Sequence, residues 1–293
     1  MKDELVTIGL VTYNRPVELR VALDCFVNQT YKNLEILICD NGSPDPRVKE
    51  LCEEFASKDS RIKYYRHPQD IGGYENLRFA LRMANGEYFM QGYDDDIWEA
   101  NYVRTLMDLH HTGNYSMTAG RIKVIGSNGI EGRYKEIPNW FSKNNFYGML
   151  FLLISHHWAY RKQLMAYGIV KTSVLKNDIP DVFECGCSAG WDALFIVRME
   201  SIGTVKYTQE TIATKYLRYP MNYAAIYGKF AFLGPIRYLM HILKIKKNEQ
   251  YEDIDLYTTV VKDCILKGKF TLLEQNVLRI ANQINRIRMV FLY

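Results

Sequence analysis

The chain has 293 residues, 48% of them hydrophobic and 24% charged, with a formal net charge of +4. That balance excludes a disordered chain, and without a dense basic run nothing in it points to nucleic acid. The longest wholly apolar run, Met149 to Ile154, is far short of the ~20 residues that cross a bilayer, and Met1 to Glu4 leads into a strand without an apolar leader.

The length suits one large domain, or one domain with an appendage. The six cysteines are scattered and read as reduced thiols, as in a cytoplasmic protein. Cys185-Gly186-Cys187 has no second Cys or His pair at the spacing a zinc site needs, so it reads as plain loop cysteines.

The first ~110 residues alternate strand and helix. Leu5 to Val11 is a β-branched strand, followed by the turn Thr12 to Pro16, with Pro16 suited to the first helical position. The helix Val17 to Gln29 puts Leu19, Leu23, Phe26 and Val27 on one face. A second strand, Leu34 to Cys39, ends in the polar turn Asp40 to Ser43. There follow a helix from about Asp45 to Ser57, a strand at Arg61 to Tyr65, a Gly72-Gly73 loop, a helix at Glu75 to Ala84 and a strand at Glu87 to Gln91. Repeated βα units of this length predict an α/β, Rossmann-like, mostly parallel sheet with flanking helices. Ligands of such sheets bind beyond the carboxyl ends of the strands, where Thr12 to Arg15, Asp40 to Ser43 and Asp94 to Asp96 all fall.

The acidic triplet Asp94-Asp95-Asp96 runs from an apolar strand to Trp98. Adjacent carboxylates repel, so a fold keeps them together where a cation or a donor-rich ligand offsets their charge; a solvated turn is the plainer alternative.

Four stretches, T-Y-N-R-P at 12–16, N-Q-T-Y-K-N-L-E-I-L-I-C-D-N-G-S at 28–43, D-I-G-G-Y-E-N-L-R-F-A-L at 70–81 and G-E-Y-F-M-Q-G-Y-D-D-D-I-W at 86–98, resemble the family 2 glycosyltransferases of the GT-A fold in order and spacing. The resemblance implies inverting transfer of a sugar from a nucleotide-diphosphate donor, expected to be a UDP-sugar, to an acceptor hydroxyl, assisted by Mn²⁺ or Mg²⁺. It places Thr12, Tyr13, Asn14 and Arg15 at the nucleotide with Asp40 on the base, and assigns Asn41, Asp70, Arg78 and Arg218 to the nucleotide-sugar as well. Asp94 falls nearer the ribose, and the metal goes to Asp95, with Asp96 a contender, because Tyr93 fills the first slot of the usual D-x-D-D. Asp192, with Arg198 six residues on, is similar to the segment that carries the family's catalytic base, although Trp191 replaces the usual Glu; Asp181 and Glu184 are the alternatives.

Beyond the triplet, Glu99 to His110 reads as a helix, and Ser116 to Ile125, Gly132 to Glu136, Gly203 to Tyr207 and Thr211 to Leu217 as strands. The stretch from Pro138 to Tyr160 is aromatic-rich. Most of its rings suit a core, while Trp158 with His157 suits the face of an acceptor sugar. The expected division is a GT-A domain at 1–220, with a nucleotide-sugar half at 1–112 and an acceptor half at 113–220, followed by a helical C-terminal extension at 221–293.

In the final helix Leu273, Val277, Ile280, Ile284, Ile287 and Phe291 form an apolar seam. It is expected to pack on its own body, with homodimer pairing as the alternative. The basic aromatic segment Tyr227 to Lys247 could rest on the inner face of the plasma membrane beside a lipid-linked or glycan acceptor. The family's prevalence suggests a bacterial surface polysaccharide or lipooligosaccharide. Two rival readings are a sugar-phosphate nucleotidyltransferase, which lacks support because no Gly-rich loop follows the first strand, and a non-catalytic GT-A-like scaffold or partner subunit.

Overall fold

The computed structural model of the chain describes residues 3–132, 136–154, 166–178, 191–218 and 259–292. Its first half alternates β1 (Val6–Thr12), α1 (Pro16–Val27), β2 (Leu34–Asp40), α2 (Pro46–Lys58), β3 (Ile62–Arg66), α3 (Gly73–Met83) and β4 (Tyr88–Tyr93). Pro16 and Pro46 open the first two helices, where a missing N–H costs nothing, and Asp45 caps the second by accepting from the Arg47 N–H at 3.0 Å. Each helix buries one stripe: Leu19, Ala22, Leu23 and Phe26 on α1, Val48, Leu51, Cys52 and Phe55 on α2.

The second half holds β5 (Asp96–Trp98), α4 (Tyr102–His110), β6 (Tyr115–Ile125), α5 (Asn145–Ile154), β7 (Ile169–Lys171), α6 (Trp191–Ile202) and β8 (Thr204–Tyr216). A helical stretch at 259–267, α7, and α8 (Leu272–Leu292) follow. All eight strands join one sheet in the order β3-β2-β1-β4-β7-β6-β8-β5. The β3-β2-β1-β4 part is parallel throughout, as the βα alternation predicts. In the other part β7 runs antiparallel to both β4 and β6, β6 pairs with β8 in parallel, and β5 closes the edge antiparallel to β8.

Strand alternation divides the core between the two faces of the sheet. Ile36 and Ile38 join the side packed under α1, α2 and α4, whereas Leu37 and Cys39 join the side covered by α3, α5, α6 and α8. Gly42 turns the chain at the end of β2 with φ of +77°, and a side chain there would lie 2.7 Å from the Gln69 backbone.

Several boundaries differ from the sequence reading for tertiary reasons. The expected helix at 99–110 starts at Tyr102, because Asp96 to Trp98 are drawn out as a strand against Lys215 to Ala213. The strands expected at 203–207 and 211–217 are one strand, β8, whose register against β6 shifts between Tyr207 and Ile212. The strand expected at 132–136 lies mostly outside the described residues; just before it, Glu131 bridges Ile125. The described part of the expected inward seam of α8 faces outward: Leu278, Ala281 and Asn282 are buried, while Leu273, Val277, Ile280 and Ile284 are exposed, and the side chains of Ile287 and Phe291 lie outside the described residues. Among the described residues no helix is long and apolar enough to cross a membrane.

The amino-terminal end of the parallel sheet is tied by one buried carboxylate. Glu35 accepts from Thr7 Oγ1 at 2.6 Å, Lys63 Nζ at 2.7 Å, and the Asn85 N–H and Nδ2 at 2.9 and 2.7 Å, linking three strands to the α3–β4 turn. Burial alone would push this carboxyl up, but the Lys63, Thr7 and Asn85 donors outweigh it and hold it at about 2, against an ordinary 4.5. Its contribution is therefore complete above pH 4.5 and is lost as the pH falls through 2. Glu35→Gln should lower the unfolding free energy at pH 7 by about 3 kcal/mol and flatten its pH dependence over that window. Urea titrations across the pH series measure both effects, and an unchanged acid slope would show that another group dominates it.

Candidate active site

Strands β1, β2 and β4 end on one edge of the sheet, with Thr12 beside Asp40 and Val11 beside Tyr93. The loops that leave this edge are bonded to one another. The Asn41 N–H donates to the Thr12 carbonyl at 3.0 Å, and the Asn14 N–H to Ser43 Oγ at 2.8 Å. Asn14 itself is left-handed, with φ of +56°, a conformation that Asn tolerates better than most side chains, and its Oδ1 accepts from the Asp45 N–H at 3.2 Å.

The acidic triplet is divided by the turn between β4 and β5. Asp94, 4% exposed, accepts from Thr12 Oγ1 at 2.7 Å and from the Tyr13 N–H at 3.3 Å. One nitrogen of Arg15, Nη1, donates to Asp94 Oδ1 and to Asp95 Oδ2, each at 2.7 Å. Burial pushes Asp94 up, against the pull of Arg15 and Thr12. The same two carboxylates raise the already high pKa of Arg15 in spite of its burial. Asp96 points elsewhere. It is 1% exposed, lies 3.6 Å from Lys215 Nζ, and burial lifts it to about 6 despite that neighbour. Lys215 in turn donates to Tyr167 Oη at 2.8 Å and sits over the Tyr93 and Tyr167 rings.

A cleft of about 330 Å³ opens beside Arg15 and Asp94. Val11 and Thr12 line it from β1, Tyr13 from the loop after it, Asn41 from the β2 turn, Gly73, Tyr74, Asn76 and Leu77 from the start of α3, and Tyr93 from β4. Tyr13 and Tyr74 are 44% and 38% exposed, so two aromatic rings stand at its mouth. Asn76 is held by its Nδ2 donating to the Cys39 carbonyl at 2.8 Å and by His67 Nε2 at 3.1 Å from its Oδ1.

Of the expected nucleotide residues, Thr12, Tyr13, Arg15, Asn41 and Asp94 line this cleft. Asn14 shapes the turn beneath it. Asp70 works through Asn41: Asn41 Nδ2 donates to Asp70 Oδ1, while Asn41 Oδ1 accepts from the Ile71 N–H at 2.9 Å. Asp40, expected on the base, is instead sealed inside, because its oxygens accept from the Ser43 N–H at 2.8 Å and Tyr64 Oη at 3.0 Å, with Arg66 Nε at 3.3 Å. Arg78 pairs with Glu75 at 2.9 Å along α3 and is not part of the lining, and Arg218 stands exposed just past β8. Asp192 is the second residue of α6, but its side chain falls outside the described residues, as do His157, Trp158, Asp181 and Glu184.

Tyr74, Leu77 and Tyr93 were missed as lining residues. Tyr74 and Leu77 lie inside the D-I-G-G-Y-E-N-L stretch, whose positions after the double glycine mark a helix start facing the strand ends. Tyr93 reads in sequence only as a departure from an acidic pattern.

Among the described residues no group of three His, Cys, Asp or Glu side chains could hold an ion unaided. Asp94 and Asp95 nonetheless converge on a single cationic nitrogen, so the carboxylate pair would suit a hard divalent cation that draws its other oxygen ligands from elsewhere.

The glycosyl transferase family 2 model matches residues 7–167, more than half of the chain. The chain belongs to that family. It is 33% identical over 135 residues to the UDP-Glc:alpha-D-GlcNAc-diphosphoundecaprenol beta-1,3-glucosyltransferase WfgD of Escherichia coli; the match covers 46% of this chain and about half, 52%, of WfgD. Residues 1–349 of S. aureus TarS, in complex with UDP-GlcNAc, superpose with a TM-score of 0.58 at 15% identity, over 98% of this chain and 89% of that one. The mannosyltransferase PcManGT of Pyrobaculum calidifontis, in complex with GDP-Man and Mn²⁺, superposes with a TM-score of 0.51 at 12% identity, over 100% of this chain and 85% of that one. The fold of this family 2 glycosyltransferase is therefore GT-A, an α/β sheet with flanking and C-terminal helices.

The guanidinium of Arg15 occupies the place between the carboxylates that a metal ion would contest. Arg15→Ala should tighten Mn²⁺ binding in the absence of nucleotide by about tenfold, roughly 1.4 kcal/mol of removed competition. It should also lower the melting temperature in EDTA. Isothermal titration with Mn²⁺ tests this, and equal affinity in both proteins would mean that the ion does not use Asp94 and Asp95.

Proposed function

We propose that this family 2 glycosyltransferase moves a sugar from a UDP-sugar to a hydroxyl of a growing glycan, with inversion at the anomeric carbon. The observation that carries the reading is the cleft at the strand ends, where Tyr13, Tyr74 and Asn41 meet the Arg15, Asp94 and Asp95 cluster. A ring of Tyr13 or Tyr74 suits the face of a nucleotide base, and Asn41, held by Asp70 and Ile71, offers a fixed amide to its edge. Asp40 supports this amide from behind by fixing the turn. Thr12 and the Tyr13 N–H hold Asp94 where a ribose hydroxyl can reach it.

A bound Mn²⁺ or Mg²⁺ supplies Lewis-acid charge for the departing diphosphate. Asp95, with Asp94 beside it, is the protein's ligand for it, and Asp96 anchors β5 to Lys215 behind them. With the ion bound, Arg15 would be free to turn toward the same diphosphate, and Arg218 is assigned there as a second positive charge. Asp192, in the first turn of α6, takes the proton of the acceptor hydroxyl as the new bond forms; a carboxylate is favoured there by the helix dipole. A UDP donor is favoured by the names of WfgD and of the TarS complex, and a lipid-linked glycan acceptor by that of WfgD. Trp158 and His157 are assigned to the acceptor side, and the reaction is placed in the cytoplasm, where the scattered cysteines would stay reduced.

Thermal melts with UDP, GDP, CDP and dTDP, each with Mn²⁺ and with EDTA, should show one metal-dependent shift, with UDP. At 100 times its dissociation constant a ligand adds about 2.7 kcal/mol, or roughly 5 °C and more for a chain of this size. A shift with GDP alone would replace the donor, and no shift with any diphosphate would remove the transferase reading. Asp192→Asn should keep the UDP shift while lowering turnover by about 10² or more. Turnover within twofold of the parent would show that Asp192 is not the base.

A further inference from the structure

The last helix packs with one face and exposes another that is just as apolar. Leu278, Ala281 and Asn282 turn inward, where α8 lies against α5. On the outer side Leu273, Val277, Ile280 and Ile284 are 75%, 39%, 65% and 43% exposed, with Leu272 beside them at 75%. No described residue covers them. An exposed stripe of this kind marks an interaction surface.

The spacing of the stripe says what kind of surface covers it. Its residues recur at steps of four and three, and the sequence keeps those steps through Ile287 and Phe291, so the seam runs for six positions and about 28 Å. A 3.5-residue period sustained this long is the pattern with which one helix packs along another. A lipid surface is met by a wider apolar face with Lys and Arg at its borders. Here one border carries the uncharged amides Asn276 and Gln283 and the other carries Glu274, Ala281 and Arg288, a single basic residue balanced by an acidic one.

We propose that this seam is the interface of a homodimer in which the α8 helices of two copies lie antiparallel. The seam is self-complementary about residue 282, with Leu273 opposite Phe291, Val277 opposite Ile287, and Ile280 opposite Ile284. That matching is what a two-fold contact requires. Pairing in parallel would place Ile280 and Ile287 at the heptad position where a two-stranded coil prefers Leu. The exposed apolar side chains offer roughly 500 Å² per copy, so the pair reaches on the order of the 1,000 Å² that a specific contact buries.

Sedimentation velocity of the full chain, at concentrations up to about 100 μM and without detergent, should give twice the chain mass. Ile280→Glu should give a monomer that melts within about 2 °C of the same chain at dilutions where the parent has dissociated, because Ile280 is solvent-exposed in a single copy. Under mild oxidation Gln283→Cys, beside the two-fold axis, should form a linked dimer beyond the background of the native cysteines, and Leu273→Cys should not. Cross-linking at 273 in place of 283 would overturn the antiparallel pairing. A parent chain that stays monomeric would overturn the dimer. In that case, loss of stability in Ile280→Glu would assign the seam to other residues of the same chain. Binding of the parent, but not of Ile280→Glu, to phosphatidylglycerol vesicles would assign it to a lipid surface.

Discussion

The arrangement of the site depends on keeping two carboxylates together, one buried and one half-buried, with little water to screen them. Asp94 is almost wholly buried and Asp95 adjoins it, so their repulsion acts in a medium of low dielectric and has to be met by positive charge or by donors. Arg15 meets it with one nitrogen shared between both, and Thr12 and the Tyr13 N–H fill the remaining acceptor of Asp94. Because these groups come from the loop after β1 and the carboxylates from the end of β4, the ion pair fixes the distance between two strands' ends. A cation or diphosphate bound here, as proposed above, would exchange partners with groups already in place and would need little reorganisation of the backbone.

The sheet makes that exchange possible. Parallel pairing of β1 with both β2 and β4 sets three polar loops side by side on one edge, and buried residues on both faces of the strands hold the register. The second layer of polar contacts serves the first. Asp40, inside the β2 turn, shapes the loop that presents Asn41, and Asp70 locks Asn41 from the other side. Buried carboxylates at this edge thus have two roles, one facing the cleft and one bracing it, and the chemistry of the residue alone does not separate them.

The carboxyl-terminal helix shows the same division on a larger scale. α8 covers the α5 side of the core with Leu278 and Ala281, and its remaining apolar stripe exceeds what the body of one copy covers among the described residues. A helix that is apolar on two faces can satisfy two partners at once, one of which is the body of its own chain.

Much of the architecture was legible from the amino-acid sequence because it depends on local periodicity. Alternating βα units, the prolines at helix starts and the polar turns at strand ends predicted the parallel part of the sheet, and they placed Thr12, Tyr13, Arg15, Asn41 and Asp94 at one crevice. Their family resemblance is carried by the same short-range spacing. The sequence alone did not show that Asp40 faces inward, that Asp96 turns toward Lys215, that Tyr74 and Tyr93 wall the cleft, or which stripe of α8 meets the core. Each of these was decided by contacts between separate elements, some of them far apart in the chain, as when β8 captures Asp96 from more than a hundred residues away. Orientation at a strand end or around a helix is set by which neighbour buries more surface and satisfies more polar atoms, and that neighbour is identified only when the tertiary structure has brought it into contact.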